Sequence, residues 1–241
     1  MPNEKTADEI KHHEAVREMF SGIATKYDFL NHFLSVNIDK KWRRLVAKKL
    51  RAVLDDRNAL VLDVACGTGD LSLELQKNAQ AKVIGTDFCR PMLAVASDKN
   101  EKVETKIPYV EADGMNLSFA DETFDAVTIA FGLRNFSNWQ NGLIELRRVL
   151  KTGGKLVILE FSTPLVPGFR QAFRFYFSNI LPRIGGAVSG SRGAYEYLPD
   201  SVSRFPDQKN LAKMMEQTGF FDVEYRNLTG GIAALHLGVK E

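Results

Sequence analysis

From residue 60 to residue 161 the chain alternates between short apolar runs and stretches with helical spacing. LVLDVAC (60–66), AKVIGTD (81–87), IPYVEAD (107–113), FDAVTIAF (124–131) and KLVILEF (155–161) read as strands. The near-continuous apolar character of FDAVTIAF suits a parallel strand buried on both faces. DLSLELQK, PMLAVASDK and NWQNGLIELRRVLK lie between them and repeat as helices. Pro91 is well placed in a first helical turn. KTGG, with Gly153 and Gly154, reads as the stop of the helix before it. This alternation predicts an α/β, doubly wound sheet.

The rhythm breaks after residue 163. Residues 164–206 are rich in Phe, Tyr, Arg, Gly and Pro and read as an insertion. DQKNLAKMMEQTG is helical again, with Gly219 as its stop, and FFDVEYRNL, TGG and IAALHLGVK predict an antiparallel hairpin at the sheet edge. Residues 1–58 are mainly helical, and KKWRRLVAKKLRAVL within them is basic and amphipathic. The expected organisation is a helical N-terminal cap (1–58), a ligand-binding α/β core (59–163), an insertion facing substrate or membrane (164–206), and a C-terminal helix and hairpin (207–241).

Composition narrows the class. The 241 residues fit one α/β domain with a small appendage, and 44% hydrophobic content supplies a core. A net charge of +2 argues against nucleic acid as partner. Cys66 and Cys89 form no C-x-x-C pair, and His12, His13, His32 and His236 are not spaced with them as metal ligands, so no metal is expected. Free thiols, a polar N-terminus without a signal-peptide core and no spanning apolar run lead to a cytoplasmic expectation.

VLDVACGTGD (61–70) joins the first strand to the first helix. A glycine loop there lets a ligand approach the backbone and the amides of a helix N-terminus. A dinucleotide fingerprint needs a third glycine where this chain has Ser72, so it is incomplete. Asp63 and Asp70 flank the loop and suit a cationic ligand better than a diphosphate. S-adenosylmethionine, with its amino group and sulfonium, fits. Asp87 and Asp113 end the next two strands, where carboxylates can accept hydrogen bonds from ribose hydroxyls and from the adenine amino group. Each residue has a plainer reading as a turn glycine or helix cap. The gathering of Asp63, Gly67, Gly69, Asp87 and Asp113 at three successive strand ends favours a cofactor site, with Phe88, Met92 and Phe131 as further candidates beside them.

VLDVACGTGD resembles the first motif of class I S-adenosylmethionine-dependent methyltransferases, which have a Rossmann-like fold. YDFLNHFLSVNIDKKWR (27–43), FGLRNFSNWQNGLIELRRVLKTGGKLVILEFSTP (131–164) and the segment from 195 to 240 resemble the ubiquinone/menaquinone biosynthesis C-methyltransferase family. The similarity runs from about residue 20 to the end. It implies a seven-stranded, mostly parallel sheet and methyl transfer to a ring carbon of a polyprenyl quinol, with Thr68, Asp87, Asp113 and Gly114 at cofactor-contact positions. Many relatives have Asn-Ala at 113–114, and some have Ser where this chain has Ala130. ACGTGD resembles the menaquinone-only members, which favours demethylmenaquinol over the benzoquinol of the ubiquinone branch.

A quinol carbon becomes nucleophilic when the neighbouring hydroxyl loses its proton, so the site needs a proton route and a stabiliser for the phenolate. Arg134 and Asn135 follow the fourth strand at the ligand-binding edge and are candidate catalytic residues, with Tyr27 closing over them. Their plainer readings are a salt-bridged arginine, a helix N-cap and a packing residue. His236 reads as a satisfied strand residue. GFRQAFRFYFSNILPRIGG (168–186) repeats aromatics at helical spacing among arginines, which suits a membrane surface, a lid over the tail or a homodimer contact. The rival functions are a methyltransferase for another apolar phenol, a nicotinamide oxidoreductase disfavoured by Ser72, and a non-catalytic scaffold of a quinone-synthesis complex.

Overall fold

The computed structural model describes residues 6–35, 37–77, 79–104, 106–180 and 192–241. Seven strands form one sheet: β1 (Leu60–Val64), β2 (Lys82–Asp87), β3 (Tyr109–Glu111), β4 (Phe124–Ala130), β5 (Leu150–Phe161), β6 (Phe220–Leu228) and β7 (Ala233–Lys240). Their order is β3-β2-β1-β4-β5-β7-β6. β1 to β5 pair in parallel, and β7 runs antiparallel between β5 and β6. The order reverses where β1 sits between β2 and β4, and a doubly wound sheet opens a crevice at that point, beyond the strands' C-terminal ends.

Val61 and Leu62 show why β1 is central: neighbours on the strand point to opposite faces, and both are fully buried. Val61 belongs to a core with Trp42, Val46, Leu50, Leu54, Leu71 and Leu75. Leu62 belongs to another with Phe124, Leu143, Leu146 and Met215. The first core is built by α2 (Ile38–Lys49), α3 (Arg51–Leu54) and α4 (Asp70–Gln76), and the second by α6 (Trp139–Val149) and the helix Gln208–Gln217. The basic stretch from Lys40 to Arg51 therefore buries its apolar stripe against the sheet and leaves Lys40, Lys41, Arg44 and Lys48 in solvent.

α6 starts at Asn138, whose side chain caps Asn141 N, and ends at Val149. KTGG is not its stop. β5 already begins at Leu150, which pairs with Phe124 before the register shifts, and Gly153 takes its positive φ of 78° inside the strand. α5 (Arg90–Asn100) has Pro91 in its first turn. Before the sheet runs α1 (Ala7–Leu34). After it comes α7 (Pro167–Phe175), then a turn of π-helix at Tyr176–Ile180 and the helix Arg192–Arg204. The part of the 168–186 segment beyond Ile180 lies outside the described residues. No helix among the described residues is long and apolar enough to cross a membrane.

Candidate active site

The loop after β1 needs two left-handed residues in quick succession, Gly67 (φ 55°) and Gly69 (φ 79°), to turn strand into helix. Gly69 is the N-cap of α4. Ala65 and Phe131, at the ends of neighbouring strands, also have positive φ, 51° and 57°. Strained backbone at two adjacent strand ends is the usual mark of a working cleft. A cavity of about 980 Å³, open at its mouth, occupies this edge.

Of the thirteen sequence-predicted site residues, Tyr27, Asp63, Gly67, Thr68, Asp87, Phe88, Met92, Asp113, Gly114, Phe131 and Asn135 line this cavity. Gly69 does not; it faces inward, and a Cβ there would lie 2.4 Å from Tyr109 Oη. Arg134 does not either, and lines a second cavity.

Asp63 is buried and accepts from Ser72 Oγ at 2.6 Å and Thr128 Oγ1 at 2.8 Å. Ser72, the residue that breaks the dinucleotide fingerprint, thus anchors an acid under the loop. Asp87 accepts from Gly67 N and from Cys89 N, both at 2.8 Å. Burial pushes both carboxyls up to about 6 against these hydrogen bonds. Asp113 accepts from Met115 N at 3.0 Å. Gly114 admits the ring of Phe136, which a Cβ would meet at 2.4 Å.

α1 covers the cleft. His12, His13, Val16, Phe20 and Tyr27 come from it. It is held by polar ties: His12 Nε2 to Asn135 O at 3.1 Å, Arg17 to Glu111 at 2.7 Å, and Asp28 to Thr68 Oγ1 and to Lys99. Asp39 and Asp70 share Arg43 and His32, and Asp70 also takes Lys99. His32, Asp39 and Asp70 gather ligand-type atoms, but Arg43 and Lys99 already engage the carboxylates. Sequence reasoning missed His12, His13 and Arg43, because only the fold brings α1 and α2 to the strand ends.

The second cavity, about 680 Å³, is lined by Met19, Ile23, Trp42, Phe161, Leu198 and other residues, with Arg134 and Tyr197 among them. Phe20, Tyr27, Arg43 and Phe131 line both cavities, so the two meet at one wall. Arg134 Nη1 donates to Phe131 O and to Glu160 Oε1 at 3.0 Å. Glu160, absent from the predicted set, is 1% exposed and also accepts from Phe161 N at 2.8 Å. Arg134 is therefore a buried, salt-bridged arginine rather than a free loop cation. Asn135 is not a helix N-cap; Tyr197 Oη donates to its Oδ1 at 3.2 Å. His236 is buried in β7 with Nε2 on Gln208 O at 2.8 Å, and burial lowers it to about 4.

The sequence matches the ubiE/COQ5 methyltransferase family over residues 7–240. The chain belongs to that family. Family relatives include the demethylmenaquinone methyltransferase of Deinococcus radiodurans, 48% identical across 94% of this chain and 93% of that protein. The ubiquinone/menaquinone biosynthesis C-methyltransferase UbiE of a Geobacter species is 46% identical across 94% of this chain and 97% of that protein. The fold is that of class I methyltransferases. A SAM-dependent methyltransferase from Thermotoga maritima, described as a possible histamine N-methyltransferase, superposes with TM-score 0.64 at 15% identity, covering 92% of this chain and all of that one. The [4+2]-cyclase SpnF superposes with TM-score 0.62 at 18% identity, covering 82% of this chain and 81% of that one. At such identities the likeness speaks for the fold alone.

Proposed function

We propose that this family member transfers a methyl group from S-adenosylmethionine to a ring carbon of demethylmenaquinol in menaquinone biosynthesis; acceptance of the methoxy-benzoquinol of the ubiquinone branch as well is a question of its breadth. The observation that carries this reading is the wall shared by an acid-lined and an aromatic-lined cavity. Methyl transfer needs donor and acceptor held in line, and positioning supplies much of the acceleration.

The first cavity fits the cofactor. Its acids, Asp63, Asp70, Asp87 and Asp113, suit a cationic ligand, and its arginine, Arg43, is already engaged by Asp39 and Asp70, so no clamp remains for a diphosphate. When bound, S-adenosylmethionine supplies an electrophilic methyl group on positively charged sulfur. Asp87 keeps lone pairs for the ribose hydroxyls after accepting two backbone amides. Asp113 takes the adenine amino group, Gly67 and Gly114 allow close approach, and Asp63 sets negative charge beneath the cationic end.

The aromatic cavity takes the quinol ring. The reduced ring gives up a phenolic proton, and the electron density reaches the neighbouring carbon. Bound S-adenosylmethionine would supply the methyl group to that carbon, its sulfur keeping the electron pair of the carbon–sulfur bond. The carbon then loses its own proton to restore aromaticity; one proton returns to oxygen, and one is released. The oxidised quinone lacks this density. Arg134, fixed by Glu160, is a permanent cation that stabilises the phenolate rather than a base. Tyr27 closes the shared wall, and Asn135 ties α1 and Tyr197 to the turn that carries Arg134. A polyprenyl quinol resides in a bilayer, so the chain meets it there as a peripheral protein.

The test is methyl transfer from labelled S-adenosylmethionine in detergent, with reduced demethylmenaquinone and a reduced methoxy-benzoquinone side by side and oxidised controls. Product from the naphthoquinol alone or from both quinols fits the proposal and fixes its breadth. Binding of S-adenosylmethionine without methylation of either quinol overturns it.

A further inference from the structure

α7 is an amphipathic helix with no fully buried side chain, and Phe173 alone of its aromatic rings packs on the core. A surface helix ordinarily lays its apolar stripe on the core. Here Leu165, Val166, Phe169 and Phe175 are 51%, 59%, 40% and 62% exposed. These are four of the ten large apolar side chains exposed among the described residues, all within residues 165–175. The charge is equally local. Residues 161–195 contain no Asp or Glu and four arginines, leaving net −2 for the rest of the chain. Arg170 is tied to Pro164 O at 2.8 Å, and Arg174 stands in solvent.

Behind this patch runs an aromatic column. Phe131, on the wall shared by the two cavities, packs on Phe161 with ring centroids 4.8 Å apart. Phe161 packs on Phe177 at 5.7 Å, and Phe177 stacks on Phe173 of α7 at 4.9 Å. Phe177 belongs to the π-helical turn, a local irregularity that often marks a functional site.

We propose that residues 165–175 dock on an anionic phospholipid bilayer, and that the column Phe161–Phe177–Phe173 carries the prenyl tail from the quinol cavity to that surface. The tail route rests on the quinol reading above. Apolar tips beside arginines match a headgroup–acyl boundary carrying negative charge. A second copy of the chain fits less well, because a two-fold contact through this patch would set like charges against each other.

The experiment is co-sedimentation of the full chain with phosphatidylglycerol vesicles and with phosphatidylcholine vesicles, for wild type and for Arg174→Glu/Phe175→Glu. Wild type should pellet with the anionic vesicles and release in high salt. The double variant should bind about a hundredfold more weakly, since two charges are reversed or added and one ring is withdrawn. Val166→Glu, outside the helix, should weaken binding in the same direction. Methylation of a short-tailed, water-soluble quinol in buffer should be unchanged in these variants, while methylation of a long-tailed quinol in anionic vesicles should fall. Equal binding of wild type and double variant, equal binding to both vesicle types, or a concentration-dependent dimer abolished by Phe175→Glu would overturn the docking surface. Failure of wild type to methylate the short-tailed quinol would strike the quinol reading and the tail route, while the vesicle result alone decides the dock.

Discussion

Glu160→Gln strips one charge from a pair whose side chains are 5% (Arg134) and 1% (Glu160) exposed. The carboxylate takes Arg134 Nη1 at 3.0 and 3.3 Å, Arg134 N at 3.4 Å and Phe161 N at 2.8 Å. Gln retains an oxygen for the Phe161 amide but no charge. The guanidinium is then left with Phe131 O and the ring of Phe161, 5.5 Å from its carbon. Breaking a buried pair costs about 3–5 kcal/mol. Burial raises the Glu160 carboxyl above its ordinary range although Arg134 pulls it down, so its own desolvation cost goes with it. The expected loss is therefore at the low end, about 3 kcal/mol. Arg134→Met alone should cost about 2 kcal/mol, because the stranded carboxyl can take a proton. The double variant removes both charges and should also cost about 2 kcal/mol, a coupling of about 3 kcal/mol. Urea unfolding, with unchanged m-values, measures all four corners. Single costs that add to within about 0.5 kcal/mol would refute the pair. All three variants should lower kcat on a short-tailed quinol while leaving S-adenosylmethionine affinity unchanged; a loss of that affinity would place Arg134 in the wrong cavity.

Asp63 and Asp87 titrate near 6 in the folded, ligand-free protein and near the ordinary 3.8 when unfolded. Protonation thus favours the fold, a contribution that is full below the unfolded value and is lost as pH rises through 6, about 3 kcal/mol per group. Asp63→Asn should remove about half of that slope in Tm against pH, and S-adenosylmethionine affinity in wild type should rise between pH 5 and 7; a flat affinity would refute the carboxylate roles. Gly69→Ala forces a left-handed φ on alanine and sets its Cβ against Tyr109 and Ala96, so stability should drop by about 2 kcal/mol. Its S-adenosylmethionine Kd should stay within about threefold by calorimetry, and a larger change would return Gly69 to the binding set.

The parallel strands were legible because burial on both faces leaves long apolar runs, as in FDAVTIAF. The end of α6 was not. Gly153 and Gly154 have the composition of a helix stop, yet they lie inside β5, whose pairing begins at Leu150 and resumes at Lys155 after a register shift, a tertiary demand no local signal carries. The acids at the strand ends could be read in order because each follows its own strand. Arg43 and the two N-terminal histidines could not, since nothing near them in sequence says where α1 and α2 will lie. Arg134 was visible as a motif residue, but its partner is 26 positions away on the next strand, so its burial was hidden.

The helix that covers the cleft comes, in the chain, before the sheet it rests on. His12 waits for Asn135, 123 residues later, Arg17 waits 94 for Glu111, and Asp28 waits 71 for Lys99. A growing chain cannot complete these ties until the turn after β4 has formed. Domains fold as units, and here α1 must be recruited back to elements that follow it in the chain. Enclosing a ligand under α1 therefore requires the chain as far as Asn135, and a nascent chain short of that residue lacks the tie to His12.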